Sequence, residues 1–599
     1  MKHQMKLASA IIAATMLLSA CGNAADDKKA DDAKPQTDST AKTDSNASTS
    51  TDTKDDAYGV KSTLADASAD PASKKFENFP TWGYDLGNTR HVPFKGITAD
   101  NAKDLGVIWS ADFKKLDSSV LNGNQSYPVV ADGVVYVSVS GSQIFAFDAL
   151  SGKQLWHWKP DDAQAKNFKK AGIVANRGVA VAEGKVFMLT IDNNVVALDQ
   201  KTGKLIKMEP ISNAIPEVTL DNGYYETTAP IYYKGNIYIG SSGGDNGARG
   251  FVMAYKASDL TPAWDSPFWT VPPKGQDWLA GNKYQGGGAV WCPVTIDEET
   301  GIMYFSVGNP APDFYGEDRP GANPYTDSVV AVDTATGKLK WAKQEISHDL
   351  WDYDAAASPM LMNATVNGKQ QKVVVEGGKS GQWWAWDAAT GKVIYDGVPF
   401  AKIDHPKPTP EGVLVYPGTL GGENYAPETY DPESNFVLIP GIEAPNVLKS
   451  AKNTEEAHND AYVGAKAFGT TMGAAPDNIK SYGTITAIDM NTGKVAYQNK
   501  TTDMMRGGFT SNSAGLAFYG ELDGKMNAMD IKTGKVVWTF QTTGDNIGAA
   551  PSFFTVDGKD YFVQTTGGSH PQIMVFGLGG DKTQGHEGSA DDSSAHSKK

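Results

Sequence analysis

Between Gly286 and Asp354 the chain gathers residues whose types could do chemistry: Trp291, Asn309, and the run His348, Asp349, Trp351, Asp352 and Asp354. The stretch reads as two short strand pairs separated by turn-rich loops, and these residues fall where the strands stop. Loops carried on a rigid sheet are where binding chemistry usually sits. Asp352 and Asp354 are two apart, so on an extended strand both carboxylates would share one face. Only two cysteines occur, Cys21 and Cys292, which leaves no disulfide framework and no Cys-rich zinc site. No Cys-x-x-Cys-His run exists, so a fused c-type haem is excluded.

The elements that must hold these residues follow from composition and repetition. In 599 residues there are 63 glycines, 14 tryptophans and 24 tyrosines, and no long segment has sustained helical periodicity, so the chain is expected to be mostly β. One pattern recurs: an apolar strand, Ala-x-Asp, a Thr-Gly-Lys turn, and a second strand that often carries Trp. The copies are Phe145 to Asp148 with Ser151-Gly152-Lys153 and Trp156, VVALDQKTGK from Val195, and FVMAYKASDLTPAW from Phe251. They continue with VVAVDTATGKLKW from Val329, WWAWDAATGKVIY from Trp383, ITAIDMNTGKVAY from Ile485, and MNAMDIKTGKVVW ending at Trp538. Each is a hairpin whose turn needs a residue tolerant of positive φ, which glycine supplies. Such sheets lose their exposed edges by closing radially. The segment before the first copy and PSFFTVDGKDYFVQTTGG with IMVFGL after the last would supply an eighth blade from both chain ends. An all-β, eight-bladed propeller is therefore expected over residues 76–580.

A formal net charge of -16 and the lack of any basic stripe argue against nucleic acid as a partner. Residues 1–20 read as a secretory signal, with Lys2 and Lys6 before an apolar core from Leu7 to Leu18. Leu18-Ser19-Ala20-Cys21 resembles a bacterial lipobox, which implies lipidation of Cys21 and a place in the cell envelope, outside the cytoplasm and anchored to a membrane. Residues 21–75 are polar, with almost no large apolar side chain before Tyr58, and read as a tether. About fifty residues of coil would reach on the order of 40 Å. Residues 581–599 read as a similar tail.

The tryptophan-bearing repeat resembles that of the pyrroloquinoline quinone (PQQ) proteins. Beginning at Trp82, WGYDLGNTRHVPFKGITADNAKDLGVIW looks like the opening of the PQQ-dependent alcohol dehydrogenases, and the similarity runs in order through nearly the whole propeller. The most specific element is APIYYKGNIYIGSSGGDNGARGFVMAYKA, from Ala229 to Ala257. The resemblance implies that Ser242, Gly243 and Gly244 lie against the quinone and that Asp245, where the family more often has glutamate, is offered to a metal. Trp291 resembles the floor tryptophan. Arg177 in VANRG and Thr227 in ETTAP match carboxylate-binding positions; Gln125 in LNGNQSYP and Asn424 in GGENYAP match further ring contacts. The chemistry accounts for these types, because PQQ is a flat tricyclic quinone with three carboxylates that needs a stacking wall and cationic or N–H partners.

The implied metal shell is Asp245, Asn309 and Asp352, with Asp354 as a fourth ligand. All are oxygen donors, suited to a hard cation and not to zinc or copper. An aspartate at the Asp354 offset resembles the lanthanide-dependent methanol dehydrogenases, whereas calcium-type members commonly carry a small apolar residue there. Three aspartates plus one cofactor carboxylate also overbalance a divalent ion, so a lanthanide is expected, with calcium the alternative. By the same resemblance, Asp352 takes the alcohol's hydroxyl proton while hydride passes to C5 of the quinone, whose carbonyl the metal polarises. Lys379 in EGGKSGQWW matches the cation beside the quinone oxygens.

Two departures stand out. The family's adjacent-cysteine disulfide over the quinone is replaced by Ala171 and Gly172, and a position often tryptophan is Arg506, which would either face the cofactor or form a blade-edge ion pair. Cys292 reads as a small buried hydrophobe. The expectation is thus a PQQ-dependent alcohol dehydrogenase acting on a small alcohol and passing electrons to a separate cytochrome, cupredoxin or membrane quinone. A non-catalytic propeller lipoprotein and a PQQ-dependent sugar dehydrogenase are the alternatives.

Overall fold

The computed structural model describes residues 60–62, 74–171, 174–272, 278, 286–450, 470–544 and 546–583. The expected signal, the expected lipidation site Cys21, Gly172, most of the stretch read as a tether and most of the stretch read as a tail lie outside the described residues. Among those described, no helix is long and apolar enough to cross a membrane.

Eight antiparallel sheets form the blades of a propeller. Blade 1 is a meander of Val129–Ala131, Val134–Val139, Gln143–Asp148 and Gln154–Trp158. Blades 2 to 7 follow over 180–210, 231–269, 295–344, 360–399, 429–501 and 509–541. Blade 8 takes Ser552–Val556, Lys559–Thr565 and Gln572–Leu578 from one chain end and Leu105–Asp112 from the other, so the ring is closed by hydrogen bonds between the termini. Val60–Ser62, inside the stretch read as a tether, adds a further strand by pairing with Leu105–Asp112. A three-residue strand whose partner is some fifty positions away leaves no compositional trace. Residues 286–354 hold more than two strand pairs: they make the whole four-stranded blade 4 plus a short arm in which Gly286–Gly287 pairs with Pro310–Ala311.

The repeat has a second physical cause beyond its turn. In the Ser- and Thr-Gly-Lys turns the glycine has positive φ, and in four of them the place its Cβ would take is filled by a tryptophan ring from the preceding blade. A Cβ on Gly152 would lie 2.6 Å from Trp109, on Gly203 2.6 Å from Trp156, on Gly337 2.8 Å from Trp264 and on Gly391 2.6 Å from Trp341. Each of those indoles also donates to the neighbouring blade, for example Trp341 Nε1 to Ala388 O at 3.1 Å. Glycine and tryptophan are thus two halves of one blade-to-blade joint. Gly391→Ala combines a left-handed backbone penalty with overpacking against Trp341, and it is expected to cost about 2–4 kcal/mol, read as a lowered chemical denaturation midpoint.

The segment after Phe79 crosses one end of the hub and meets the innermost strands in turn. Phe79 pairs with Val130 of blade 1. Leu86 O accepts from Ile296, Gly87 O from Leu361, Thr89 O from Tyr430 and Arg90 O from Ser511, which are blades 4, 5, 6 and 7. Arg90 is fully buried with its guanidinium on the carbonyls of Trp82, Phe509 and Pro551, and burial pushes its pKa down to about 9. That end of the hub is closed. Chemistry has to enter from the other.

Candidate active site

At the other mouth, the same structural position recurs in successive blades. Gln125, Arg177, Thr227, Trp291, Asp354, Asn424 and Arg506 each lie a few residues before the innermost strand of blades 1 to 7. Ser242 with Asp245, Asn309, and Lys379 each follow the second strand of blades 3, 4 and 5. The repeat therefore delivers side chains far apart in sequence to one ring of loop ends.

On one side of the mouth lies an aromatic and cationic surface. Arg177 is buried; its Nη1 donates to Thr227 Oγ1 at 2.5 Å and to Trp291 O at 3.3 Å, and its guanidinium carbon lies 4.7 Å from the Trp291 ring and 4.8 Å from the Tyr425 ring. Thr227 Oγ1 and Ser242 Oγ share a 2.9 Å hydrogen bond. Gly243 has φ +99°, and a Cβ there would meet Gly223 O at 2.2 Å, so only glycine lets this loop turn into the short helix Gly244–Asn246 that carries Asp245. Arg506 faces the same Tyr425 ring at 5.1 Å. Arg177 Nε, Arg506 Nε and Gln125 Oε1 are buried without partners among the described residues. Asn424 turns inward, its Nδ2 on Leu420 O.

On the other side are the acids. Lys379 is buried, and its ammonium reaches Asp352 Oδ1 at 2.7 Å and also contacts Asp354 Oδ2. Asp354 Oδ1 accepts from the Asn309 backbone N–H at 2.7 Å, and the Asn309 side chain donates to Asp313 Oδ1 at 2.9 Å. Burial, then the charge of Asp354, pushes Asp245 up to about 6, with Lys379 opposing. Asp352 is likewise raised by burial, and Lys379 pulls it back. For Lys379 burial disfavours the charge, but Asp352, Asp354 and Asp245 outweigh it and the pKa rises. The two sides adjoin: Cys292, next to Trp291, is buried, its thiol pushed up to about 12 by that burial, within the fields of Arg177, Asp354 and Lys379.

The segment 349–355 is not a strand, so alternation is not what brings Asp352 and Asp354 together. Asp349, fully buried, accepts from Trp351 N at 3.0 Å and from Tyr353 N at 3.0 Å, which bends the chain and leaves Asp352 at φ +64°. Lys379 then bridges the two carboxylates. Arg319 braces this bend by donating to the carbonyls of Pro312, Asp313 and Asp349.

This arrangement has known counterparts. The family model described as the β-propeller domain of PQQ glucose/ethanol/alcohol dehydrogenases matches residues 79–403 and 398–562. The chain belongs to that family. It is 32% identical over 552 residues to a quinohemoprotein alcohol dehydrogenase of Comamonas testosteroni, covering 85% of this chain and 74% of that one. It is 30% identical over 517 residues to a 1-butanol dehydrogenase (cytochrome c) of Thauera butanivorans, covering 80% and 73%. The crystal structure of the Comamonas testosteroni quinohemoprotein alcohol dehydrogenase matches with a TM-score of 0.75 at 27% identity, over 86% of this chain and 82% of that one. The chain is accordingly an enzyme, a PQQ-dependent alcohol dehydrogenase.

The donor set suits the groups this family implies. Two guanidiniums beside one tyrosine, with nitrogen donors left over, suit a flat polycarboxylate against Trp291. Among the described residues no three Asp, Glu, His or Cys side chains converge into a closed cage. Even so, three aspartates around one ammonium leave an excess of negative charge in a buried volume, which suits a hard cation. Where the family places a disulfide, Ala171 is instead packed with Phe168, Ile191 and Tyr225. Sequence reasoning named Asp349 without giving it a role, and missed Tyr425, Arg319 and Asp313. The one local signal was the spacing from Asn309 to Asp313 across a proline-rich turn, where a carboxylate is otherwise out of place.

Proposed function

We propose that this enzyme oxidises a small alcohol to an aldehyde in the mouth of the propeller, with Asp352 as the base and Asp245, Asn309, Asp352 and Asp354 holding one metal ion. The observation that carries the reading is one buried ammonium, Lys379, touching both Asp352 and Asp354 beside the Trp291 and Arg177 surface. Bound PQQ supplies the two-electron sink, and the metal supplies Lewis acidity at its carbonyl. Arg177 and Thr227 anchor cofactor carboxylates, since a guanidinium pairs with them bidentately. Gln125, Ser242, Gly243, Gly244 and Asn424 shape the cofactor's rim, and Trp291 offers the stacking face.

Asp352 takes the substrate's hydroxyl proton, and Lys379, paired with it at 2.7 Å, favours the ionised carboxylate against the burial that raises its pKa. Trp351, stacked on Tyr353 and packed with Phe314 and Val415, forms an apolar wall beside the base that favours a small alcohol and keeps water out. Asp245, Asp352, Asp354 and one cofactor carboxylate, against the single charge of Lys379, leave three net negative charges, which matches a trivalent lanthanide better than calcium. Lipidation at Cys21 and a tether over residues 21–59, ahead of the strand Val60–Ser62, hold the body at an envelope membrane, within reach of a separate electron acceptor.

The test is reconstitution of the purified full chain with PQQ and either lanthanum or calcium. Dye reduction with short alcohols is expected only with both groups present. Melting temperature is expected to rise as well, because a ligand at a hundred times its Kd adds about 2.7 kcal/mol to the native state. An unshifted melting temperature together with no turnover on any alcohol would end this reading.

A further inference from the structure

Asp313 has no part in the roles above, yet it is fully buried beside the acid cluster. Its Oδ1 accepts from Asn309 Nδ2 at 2.9 Å, and among the described residues the only other acceptor for that nitrogen is Pro310 O at 3.4 Å. Both neighbours are acceptors, so they require the NH₂ end of the amide on that side. The oxygen end must point the opposite way, and among the described residues no donor reaches it. The Asn309 backbone is pinned separately, by Asp354 Oδ1 on its N–H at 2.7 Å. Asp313 cannot easily drift, because the buried Arg319 donates to its carbonyl at 3.2 Å and to that of Pro312 at 3.0 Å.

We propose that Asp313 is a positioning residue for the metal site: by holding Asn309 Nδ2 it determines that the amide oxygen, and not the amide nitrogen, is presented to the cation. A flipped amide would set its oxygen against the Asp313 carboxylate and its N–H groups against the metal, so both ends would repel. Partners of this kind around a metal ligand typically alter affinity by about 10- to 100-fold. The proposal rests on Asn309 being a ligand, as read above.

The experiment titrates europium(III) into the PQQ-loaded full chain. Affinity is read by calorimetry, and the number of waters on the ion is read from luminescence lifetimes in H₂O and D₂O. Asp313→Leu, which fills the space but accepts nothing, is expected to weaken binding about 10- to 100-fold and to add about one water to the ion. Asn309→Ala should do the same, and the double variant should lose no more than Asn309→Ala alone, because the two side chains act as one unit. Asp313→Asn keeps an acceptor oxygen and is expected to restore most of the affinity, which separates positioning from misfolding. Wild-type affinity and water count in Asp313→Leu, or losses that add in the double variant, overturn the proposal. A wild-type chain that binds no europium overturns the reading of Asn309 as a ligand and this inference with it.

Discussion

Asp352→Asn is expected to lower kcat for alcohol oxidation by about 10³-fold, at the middle of the range for removing a positioned general base. The carboxamide keeps the size of the side chain and an oxygen that can accept from Lys379 or bind a metal, so once the lost charge is offset by saturating metal, what remains missing is the capacity to take a proton. The case for a large effect is geometric. Asp352 keeps a side-chain exposure of 17% against 5% for Asp354, so a substrate can reach it, and unlike the partly exposed Asp245 it is paired with Lys379. Its φ of +64° is held by two backbone donations to Asp349, and its Oδ1 is tethered to Lys379, which leaves the second carboxylate oxygen to face the alcohol. Steady-state kinetics on metal- and PQQ-saturated protein, with metal content measured in the same samples, checks this. A kcat within tenfold of wild type at full metal loading would remove Asp352 from the role of base.

The blades were legible because each joint repeats the same chemistry. A glycine in Thr-Gly-Lys has to leave room for a ring from the blade before it, and that demand imprints the same few residues at Gly152, Gly203, Gly337 and Gly391. The eighth blade was legible for the converse reason: strand-like segments were left over at both ends and a ring has no other place for them. Much of the candidate site was legible through local motifs, since Arg177, Thr227, Trp291 and Lys379 each stand in a distinctive short run. What stayed hidden depends on contacts between distant segments. The hub segment from Phe79 to Val92 bonds to residues hundreds of positions away, and no window of sequence contains both partners. The expectation that Asp352 and Asp354 alternate on a strand failed because the carboxylate of Asp349 competes for the backbone N–H groups that a strand would need. Asp313 and Arg319 were invisible for a related reason: a buried charge looks like a surface charge until its partners are in place.

Asp354→Asn is expected to cost lanthanum about 100-fold in affinity, close to 2.7 kcal/mol, and calcium no more than about 20-fold, two-thirds of that energy. The asymmetry follows from Coulomb's law, in which removing one carboxylate charge costs a trivalent ion half as much again as a divalent one at the same distance and effective dielectric. It is sharpened by what remains. With Asp354 neutral, Asp245, Asp352 and a cofactor carboxylate face Lys379 with two net negative charges, which balances calcium and leaves lanthanum short. Asparagine is the informative replacement because its oxygen can still accept from the Asn309 N–H, now at 2.7 Å on Asp354 Oδ1, so that anchor of the loop is kept while the charge and the contact with Lys379 are lost. Asp354→Ala, which also removes that hydrogen bond, should weaken both metals and so serves to separate charge from shape. Parallel calorimetric titrations of the PQQ-loaded variants with lanthanum and calcium decide the matter. Equal losses for the two ions in Asp354→Asn would mean that Asp354 works through the backbone of Asn309 alone, and the trivalent preference would then need another source.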